Sequence, residues 1–370
     1  MIGIADWARR CGFVFDPGAD VRRFGLLPTM AVYDLASGDR PHLARVRATS
    51  LAAQTGNRQA ADPLGLGTGA KLPDIVLVQA ESFFDARRLG LAQPGIDDAL
   101  VNYARLQRSA FAHGTLDVLS SGGNSLRSEF AVLSGMSATE SGVHALNPYH
   151  RLAREKVWSL AWHLRALGYR TIAVHPYSGD FFWRNQVYAH LGFERFIDID
   201  ALGHLPRCGP FVGDIALGSE VERLRAEMGD DRPTFIFVIT MEAHGPWHPT
   251  RVSEVALAEA GLSPSQLGSM QLAHYLYHTR NTDRMLGALA AQTTMQTRPG
   301  VFCLYGDHLP PIAGLRSRLG FAADVTDYLI VTDPAQSVPL PSRALSAPQL
   351  GQVLCRAAGL PSFREATPRH

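Results

Sequence analysis

Short runs rich in Val, Ile and Phe recur along this chain and are separated by segments with helical spacing. The clearest runs cover residues 73–80, 234–241 and 301–306. Apolar runs of this length are typical of strands that are buried on both faces of a parallel sheet. Because these runs alternate with helical patterns almost throughout, we expect an α/β fold, a three-layer sandwich with a mostly parallel central sheet.

Weaker patterns predict the remaining elements and the organisation of the chain. Further strands are expected at 115–119, 170–174 and 328–332, and helices at 97–109, 126–133, 156–167, 183–191, 214–228, 271–292 and 347–358. Residues 54–71 form a polar, Gly-rich run that precedes the first strong strand. We therefore expect a partly helical N-terminal arm and linker over 1–72, followed by one large domain over 73–370.

The composition is that of a globular protein with a sizeable core, since 46% of the 370 residues are hydrophobic and 19% are charged. A formal net charge of +1 gives no electrostatic footprint for nucleic acid, so we expect no nucleic-acid partner. The four cysteines form no C-x-x-C pair, which excludes zinc-ribbon and thioredoxin-like sites, and Cys303 is expected in the core. No segment reaches the ~18 consecutive apolar residues of a membrane span.

Residues that bind metals or move protons follow several predicted strands at the point where each strand ends. In open parallel sheets, ligands gather beyond the carboxyl ends of the strands. One shared site at this edge is therefore expected, whereas scattered surface carboxylates would show no such placement. The residues concerned are Glu81, His175, Glu242, His244, Asp307 and His308.

Two glycines, Gly122 and Gly123, lead through Asn124 to Ser125 at the start of a predicted helix. A hydroxyl at this position lies beside unpaired helix N–H groups that favour an anion, so Ser125 is placed to meet a phosphate or sulfate. We take Ser125 as the candidate nucleophile. The same pattern also describes an ordinary loop that ends in a helix cap. Ser128 is the rival hydroxyl, but one turn further on it would favour a bond back to the helix.

A serine hydroxyl needs a metal or an adjacent base to become a good nucleophile. Glu81, Asp307 and His308, with Ser125 completing the shell, would supply three oxygens and one nitrogen to one divalent cation. Mixed ligation of this kind is compatible with manganese, magnesium or zinc. Each residue also has a plainer interpretation, because Glu81 could cap the next element and Asp307-His308 could form a turn before Pro310.

Three more residues suit the handling of a phosphoryl group. The planar fork of Arg184 can hold two phosphate oxygens. His175 and His244 can donate to these oxygens or carry the proton of an alcohol, which predicts two in-line displacements through a phospho-Ser125 ester. Alternatively, Arg184 is a surface helix charge and the histidines lie in rigid turns near proline. We add Phe182, Trp183 and Trp247 to the substrate-binding set, with His144, His150 and His248 at its rim.

The motifs occur in an order that resembles a known family. They are Glu81, Gly122-Gly123-x-Ser125-x-x-Ser128-Glu129-Phe130, His175, Phe182-x-Arg184-Asn185, His244-Gly245-Pro246 and Gly306-Asp307-His308. Over residues 73–333 this set resembles the lipoteichoic-acid synthase and phosphoglycerol transferase branch of the sulfatase/alkaline-phosphatase superfamily. The resemblance implies a sulfatase-like catalytic domain and manganese as the first choice of metal, with magnesium next.

The chain also departs from the family's pattern. Ser125 stands where the family most often has Thr, and the segment Phe182-Trp183-Arg184-Asn185 is rearranged. His278 stands in a helix position where a small residue is usual. Formylglycine sulfatases need x-Pro-x-Arg after the modified residue, and the residues after Ser125 lack it. A true sulfatase is therefore disfavoured.

The resemblance implies a phosphoglycerol-type transferase, with a phospholipid head group as donor and a glycan or polyol phosphate as acceptor. Such donors place the enzyme near the membrane, in the periplasm or on the extracytoplasmic face of the inner membrane. Family members carry membrane helices ahead of this domain, so we expect either a truncated catalytic part or another route to the envelope. Two alternatives stay open. The phosphoenzyme could react with water, as in a phosphodiesterase or phosphatase, or the domain could only bind ligands, although neither nucleophile nor ligand is missing.

Overall fold

An eight-stranded sheet forms the middle layer of the protein. The computed structural model describes residues 3–39, 71–91, 93–120, 122–151, 155–229, 231–294, 298–320, 324–333 and 340–364. The linker expected at 54–71 lies outside these residues except for its last position. Within them the strands are β1 (Asp74–Ala80), β2 (Ala112–Asp117), β3 (Arg170–Val174), β4 (Arg195–Ile197), β5 (Arg207–Cys208), β6 (Phe211–Val212), β7 (Thr234–Ile239), β8 (Gly300–Gly306), β9 (Val325–Thr332) and β10 (Leu345–Ser346).

The sheet has the order β10-β2-β9-β8-β1-β7-β3-β4, and its pairing is mostly parallel. The central strand β1 pairs in parallel with both β7 and β8, and only β9 runs antiparallel to its neighbours β8 and β2. The predicted α/β fold with a mostly parallel sheet is confirmed. The three apolar runs became these three central strands because a strand covered on both faces has no side that water can reach.

Helices cover both faces of the sheet, which confirms the three layers. Ile75 and Leu77 contribute to the hydrophobic cluster on one face, whereas Val76 and Val78 contribute to the cluster on the other. This division follows from the two-residue period of a strand. The first face is covered by Leu126–Ser134, Leu160–Ala166, Arg184–His190 and Ala347–Ala357, and the second by Val101–Gln107, Asp214–Glu227 and Met270–Thr294.

The other helices of residues 73–364, as far as the structure describes this range, are short. They are Pro94–Asp98, Ala138–Ser141, Pro148–Arg151, Ile199–Leu202, Glu254–Glu259, Pro264–Leu267 and Leu315–Leu319, with 3₁₀ turns at Ala86–Leu89, Gly142–Ala145 and Phe181–Trp183. The helix predicted over 97–109 is divided between two helices, and the one predicted from residue 156 begins only after Ser159, whose side chain accepts from the Trp162 N–H as an N-cap. The short strands β4, β5, β6 and β10 were not predicted, because two or three residues carry no periodicity.

The described part of the N-terminal arm, residues 3–39, forms three helices with a small core of their own. These are Ile4–Arg10, Pro17–Phe24 and Leu26–Ser37. The arm contacts the large domain through Val143 and through a hydrogen bond of 2.8 Å from Arg9 Nη2 to the Thr139 carbonyl oxygen. Among the described residues, no helix has both the length and the apolar character that crossing a bilayer requires.

Candidate active site

Two adjoining cavities, of about 400 and about 180 Å³, lie at the carboxyl ends of the central strands. Glu81 follows β1 directly, and Asp307 and His308 follow β8. Because β1 and β8 are parallel and Ala80 pairs with Gly306, these residues leave the sheet side by side. The residues that line both cavities are Glu81, Ser125, Phe181, Phe182, His244 and Gly245. The structure therefore brings the candidate nucleophile and the predicted metal ligands to one place.

The side chains of Glu81, Asp307 and His308 converge within 4.8 Å and are buried. His308 Nε2 lies 3.4 Å from Glu81 Oε1 and 3.6 Å from Asp307 Oδ2. His308 Nδ1 lies 3.0 Å from the Leu309 carbonyl oxygen, so this nitrogen carries the proton of the neutral ring. The lone pair of Nε2 then faces two carboxylates, as expected of a metal-ligating histidine whose other nitrogen is held by a carbonyl.

The electrostatics of this group fit a bound cation. Burial, reinforced by the neighbouring Asp307 carboxylate, raises the pKa of Glu81. Asp307 Oδ1 accepts from the backbone N–H groups of Ser82 and His308, but Asp307 Oδ2 is buried without a hydrogen-bond partner. A buried carboxylate oxygen without a partner is costly unless a cation approaches it. The donor set of oxygens and one imidazole nitrogen fits a divalent metal, and it does not choose among manganese, magnesium and zinc.

Ser125 stands at the start of the helix Leu126–Ser134 and lines both cavities. Gly122, Gly123 and Asn124 all have positive φ, at 62°, 146° and 62°, so the loop makes the tight turn that the two glycines favour. The Ser125 side chain makes no capping hydrogen bond. Its hydroxyl is therefore available to a ligand, unlike that of an ordinary cap.

Ser128 has a structural role. Its hydroxyl is fully buried and donates to the Asp307 carbonyl oxygen at 2.7 Å, and it lies 3.0 Å from Ser120 Oγ. The expected bond back to its own helix is replaced by this bond to the loop after β8. Ser128 thus joins the helix that carries Ser125 to the loop that carries Asp307, and it is not the nucleophile that the rival interpretation required.

Arg184 is only 2% exposed, so it is not a surface charge, and it lines the smaller cavity. Its hold on two phosphate oxygens stays a prediction, and Glu129 takes only the Nε/Nη2 edge of the guanidinium. Arg184 Nη2 lies 2.7 Å from Glu129 Oε2, and Arg184 Nε lies 3.3 Å from Oε1. The remaining nitrogen, Nη1, lies 3.5 Å from His175 Nε2. The N–H groups of Nη1 and the second N–H of Nη2 therefore remain for a ligand.

Glu129 lies in the motif that contains Ser125, but the sequence alone assigns it no role. Its side chain is fully buried, and it accepts from the hydroxyls of Tyr149 and Tyr188 as well as from Arg184. Burial alone would raise the pKa of Glu129, but Arg184 and these hydrogen bonds hold it below its usual range. The available signal was a carboxylate placed in the apolar run of a buried helix, which requires a cationic partner somewhere in the fold.

His175 and His244 both line the smaller cavity, but their surroundings differ. His175 is 2% exposed, and burial together with the Arg184 charge lowers its pKa well below the usual value. It is therefore a neutral ring at neutral pH. His244 is exposed, and its Nδ1 lies 2.6 Å from the Gly245 carbonyl oxygen, which leaves Nε2 for the cavity. His244 is the better placed of the two to exchange protons with a substrate.

The predicted rim is only partly correct. Phe182 lines both cavities, and Trp247 lines the larger one from a buried position. Trp183 lines neither cavity and contacts the His150 ring, with centroids 5.8 Å apart. The other two predicted rim histidines also line neither cavity, because His144 is buried and His248 bonds to the neighbouring Thr250 hydroxyl.

Glu242 follows β7 as expected, but it does not join the shared site. Its carboxylate is buried and accepts from the Asp214 backbone N–H at 2.8 Å, from Asn281 Nδ2 at 2.6 Å and from His278 Nδ1 at 2.9 Å. Cys208 Sγ lies 3.7 Å from the same His278 nitrogen. These are hydrogen-bond distances, so Glu242 is a structural anchor below the His244 loop, and His278 has a partner that a small residue would lack.

The chain is similar to several known proteins. The family model described as Sulfatase matches residues 73–337, which contain every site residue above. The capsular polysaccharide biosynthesis protein RkpI of Rhizobium meliloti is 34% identical over 265 residues, covering 70% of this chain and 45% of that protein. A putative cyclic beta-1,2-glucan modification protein of the same organism is 29% identical, covering 71% of this chain and 40% of its own length. The chain thus spans less than half of these two relatives.

Two solved structures share the fold at low identity. The phosphoglycerol transferase GacH of Streptococcus pyogenes, in complex with sn-glycerol-1-phosphate, has a TM-score of 0.64 at 19% identity, over 86% of this chain and 82% of its own. The lipoteichoic acid synthase LtaP of Listeria monocytogenes has a TM-score of 0.64 at 15% identity, over 85% and 80%. These two matches confirm the fold, and the Sulfatase match confirms the superfamily that the sequence motifs resemble.

Proposed function

The chain belongs to the sulfatase family, and from this premise we propose that it is a metal-dependent phosphotransferase of the phosphoglycerol type. The observation that carries the proposal is the meeting of Ser125, Glu81 and His308 in one cavity, with Asp307 beside them. A domain that only binds ligands has no need of an uncapped helix-start hydroxyl beside a buried acid and imidazole group. Its sulfatase relatives with formylglycine use a motif that this chain lacks.

Glu81, Asp307, His308 and Ser125 would hold one divalent cation, with manganese as our first choice and magnesium or zinc as alternatives. When bound, the cation would favour the alkoxide form of Ser125 and polarise a phosphoryl oxygen. The protein's own contribution is to bury the ligands and to hold the His308 proton on Nδ1 through the Leu309 carbonyl oxygen.

The chemistry proceeds by two in-line displacements on phosphorus. In the first, Ser125 Oγ gives its proton to water and forms the P–O bond, while the bond to the donor alcohol breaks and His244 supplies a proton to the leaving oxygen; Ser125 takes a proton back from water when the second displacement releases it. Arg184 faces the smaller cavity, where its remaining N–H groups can donate to equatorial oxygens, with neutral His175 beside Nη1. In the second, an acceptor hydroxyl attacks the phospho-Ser125 ester, gives its proton to His244, and releases Ser125.

A lipid-borne donor is supported by the surface of the arm. Several large apolar side chains of residues 3–39 are exposed, among them Trp7, Leu26, Leu27 and Met30 at 51%, 58%, 77% and 59%. Apolar groups clustered on one segment suit contact with a membrane surface. We therefore place the domain at a membrane, on the periplasmic or extracytoplasmic side where lipid head groups meet polymer acceptors.

A glycan acceptor is supported by the relatives' names and by the cavity wall. The two rhizobial relatives are named for capsular polysaccharide and for cyclic glucan. Phe181 is 49% exposed and contacts Phe182 in a tilted arrangement with ring centroids 4.2 Å apart, so an aromatic surface borders both cavities. Aromatic faces beside polar groups suit the mixed surface of a sugar.

The test uses the metal-loaded protein, vesicles containing phosphatidylglycerol, and a glucan acceptor. We expect release of diacylglycerol and labelling of the glucan with phosphoglycerol, both lost in Ser125→Ala. Ser219→Ala, an exposed serine on the helix Asp214–Glu227, is the matched control and should retain activity.

Each other outcome has a definite meaning. Diacylglycerol release with free glycerol phosphate, and no labelled acceptor, would make the protein a phosphodiesterase with the same site. Turnover that persists in Ser125→Ala would remove the nucleophile assignment. No turnover with phosphatidylglycerol, combined with a phosphorylated Ser125 from another phosphodiester, would exclude this donor alone.

A further inference from the structure

We infer that Glu129 is a positioning residue for Arg184, which aims one guanidinium nitrogen at the reaction cavity; this inference rests on the proposed function. The Glu129 carboxylate lies on the buried side of the helix that begins after Ser125, and its side chain is fully buried. Arg184 is the first residue of the helix Arg184–His190 and lines the smaller cavity. The ion pair between them therefore joins the nucleophile's helix to the anion-binding group.

The carboxylate is saturated with donors. Glu129 Oε1 accepts from Tyr149 and Tyr188 hydroxyls, and Oε2 accepts from Arg184 Nη2 and, at 3.5 Å, from Gln79 Nε2. A carboxylate with this many donors stays ionised and keeps one orientation. Glu129 can thus hold the guanidinium at two points without moving when a ligand enters.

This arrangement decides what Arg184 presents to a ligand. Two of its nitrogens, Nε and Nη2, bond to Glu129, and Nη1 faces His175 Nε2 at 3.5 Å. His175 and Arg184 both line the smaller cavity, together with Ser125 and Glu81. Glu129 therefore fixes the direction of the remaining Arg184 N–H groups, and the backbone bond of 3.0 Å from Glu129 N to the Ser125 carbonyl oxygen ties that direction to the nucleophile.

A purely structural ion pair would be a weak explanation for the arrangement. Burying two charges costs several kcal/mol per ion, and apolar replacements of similar volume are often as stable. Arg184 Nη1 also reaches the wall of the smaller cavity. The ion pair therefore preorganises a donor at the place where negative charge develops during phosphoryl transfer.

The experiment is a double-mutant cycle with Glu129→Gln, Arg184→Gln and the double variant. Glutamine keeps the size of Glu129, shortens the side chain at position 184, and removes both charges in the double variant. Turnover of a phosphodiester is measured together with binding of inorganic phosphate by calorimetry. Tyr149→Phe is the matched control, because it removes a hydrogen bond to the same carboxylate and leaves Arg184 paired.

We expect Glu129→Gln to lower kcat by about 10²-fold, since a donor displaced by about 1 Å costs this much. In the Arg184→Gln background, Glu129→Gln should add less than about twofold, because its effect passes through Arg184. Phosphate affinity should follow the same non-additive pattern, and Tyr149→Phe should lower the melting temperature with little change in kcat.

Two results would overturn the inference. One is a kcat of the double variant that is lowered by the product of the two single-variant losses. The other is a kcat of folded Glu129→Gln within about threefold of the wild type. If Glu129→Gln does not fold, the double variant still decides, because two neutral amides restore the charge balance. A wild type without phosphodiester turnover would count against the proposed function, and the phosphate-binding cycle would then decide the role of Glu129 by itself.

Discussion

His308 Nε2 lies 3.4 Å from Glu81 Oε1, and the Leu309 carbonyl oxygen lies 3.0 Å from the other ring nitrogen. Burial lowers the pKa of His308, but the neighbouring Asp307 and Glu81 carboxylates outweigh it and raise this pKa. Both carboxylates therefore favour a positive charge at this ring or beside it. Asp307 Oδ2 lies 3.6 Å from Nε2 and is buried without a hydrogen-bond partner, so a shared cation would stabilise all three groups. The site is therefore organised for a metal before any metal binds.

Removing the metal should lower both activity and stability. We expect chelation to lower the melting temperature, since a ligand that binds only the folded state stabilises it by mass action. Asp307→Asn should lower metal content and reduce activity by more than about 10²-fold, exceeding the usual loss for an outer-shell partner. Metal content by mass spectrometry and melting by calorimetry are the measurements.

Glu227→Gln, on the exposed end of the helix Asp214–Glu227, is the control and should change neither quantity. Full activity in thoroughly metal-free protein would contradict the metal assignment. Comparison of manganese, magnesium and zinc in the reloaded protein identifies the metal that supports turnover best.

Ser125→Ala should affect turnover and leave stability nearly unchanged, whereas Ser128→Ala should lower stability. Ser125 makes no side-chain capping bond, so its loss should change the unfolding free energy by less than about 0.5 kcal/mol while turnover is abolished. Ser128→Ala should cost about 1–3 kcal/mol, because the Asp307 carbonyl oxygen and Ser120 lose a buried partner. Urea unfolding and initial rates give the two quantities, and a reversed order would contradict the roles assigned to the two hydroxyls.

His175 should stay neutral throughout the physiological range. Burial and the nearby Arg184 charge lower its pKa, so its ring should not take up a proton between about pH 6 and 8. In ¹H NMR, the ring resonance of His175, assigned from His175→Gln, should be constant over this interval. A titration curve with a midpoint near neutrality would show that His175 can act as a cationic clamp, contrary to this structure.

His163 should make the fold sensitive to mild acid. Burial lowers its pKa from 6.5 to about 4. Between these values the unfolded chain binds a proton that the native state does not, so stability is complete above pH 6.5 and falls as the pH drops toward 4. The loss should reach about 3 kcal/mol at the lower limit.

His163→Gln should reduce this pH dependence, as measured by urea unfolding at a series of pH values. The exposed His150 is the control, and His150→Gln should leave the slope unchanged. Equal slopes for the wild type and His163→Gln would mean that other groups cause the acid sensitivity.

Much of the fold could be predicted because it depends on local pattern. The runs at 73–80, 234–241 and 301–306 became β1, β7 and β8, and the helix predicted at 126–133 was found at Leu126–Ser134. Their buried faces follow directly from the spacing of apolar residues. The strands β4 and β10 were missed because three and two residues are too few to show a periodic pattern.

The sequence by itself determined which residue types follow the strands, and therefore that Glu81, Asp307 and His308 would meet, because parallel strands end at one edge. Only the tertiary structure decided the use of Arg184 and Glu242. Both are charged groups that must find partners when buried, and those partners, Glu129 for one and His278 and Asn281 for the other, lie tens of residues away. The position of each long strand can be predicted from local hydrophobicity. The pairing of buried charges depends on distances that exist only after the chain has packed.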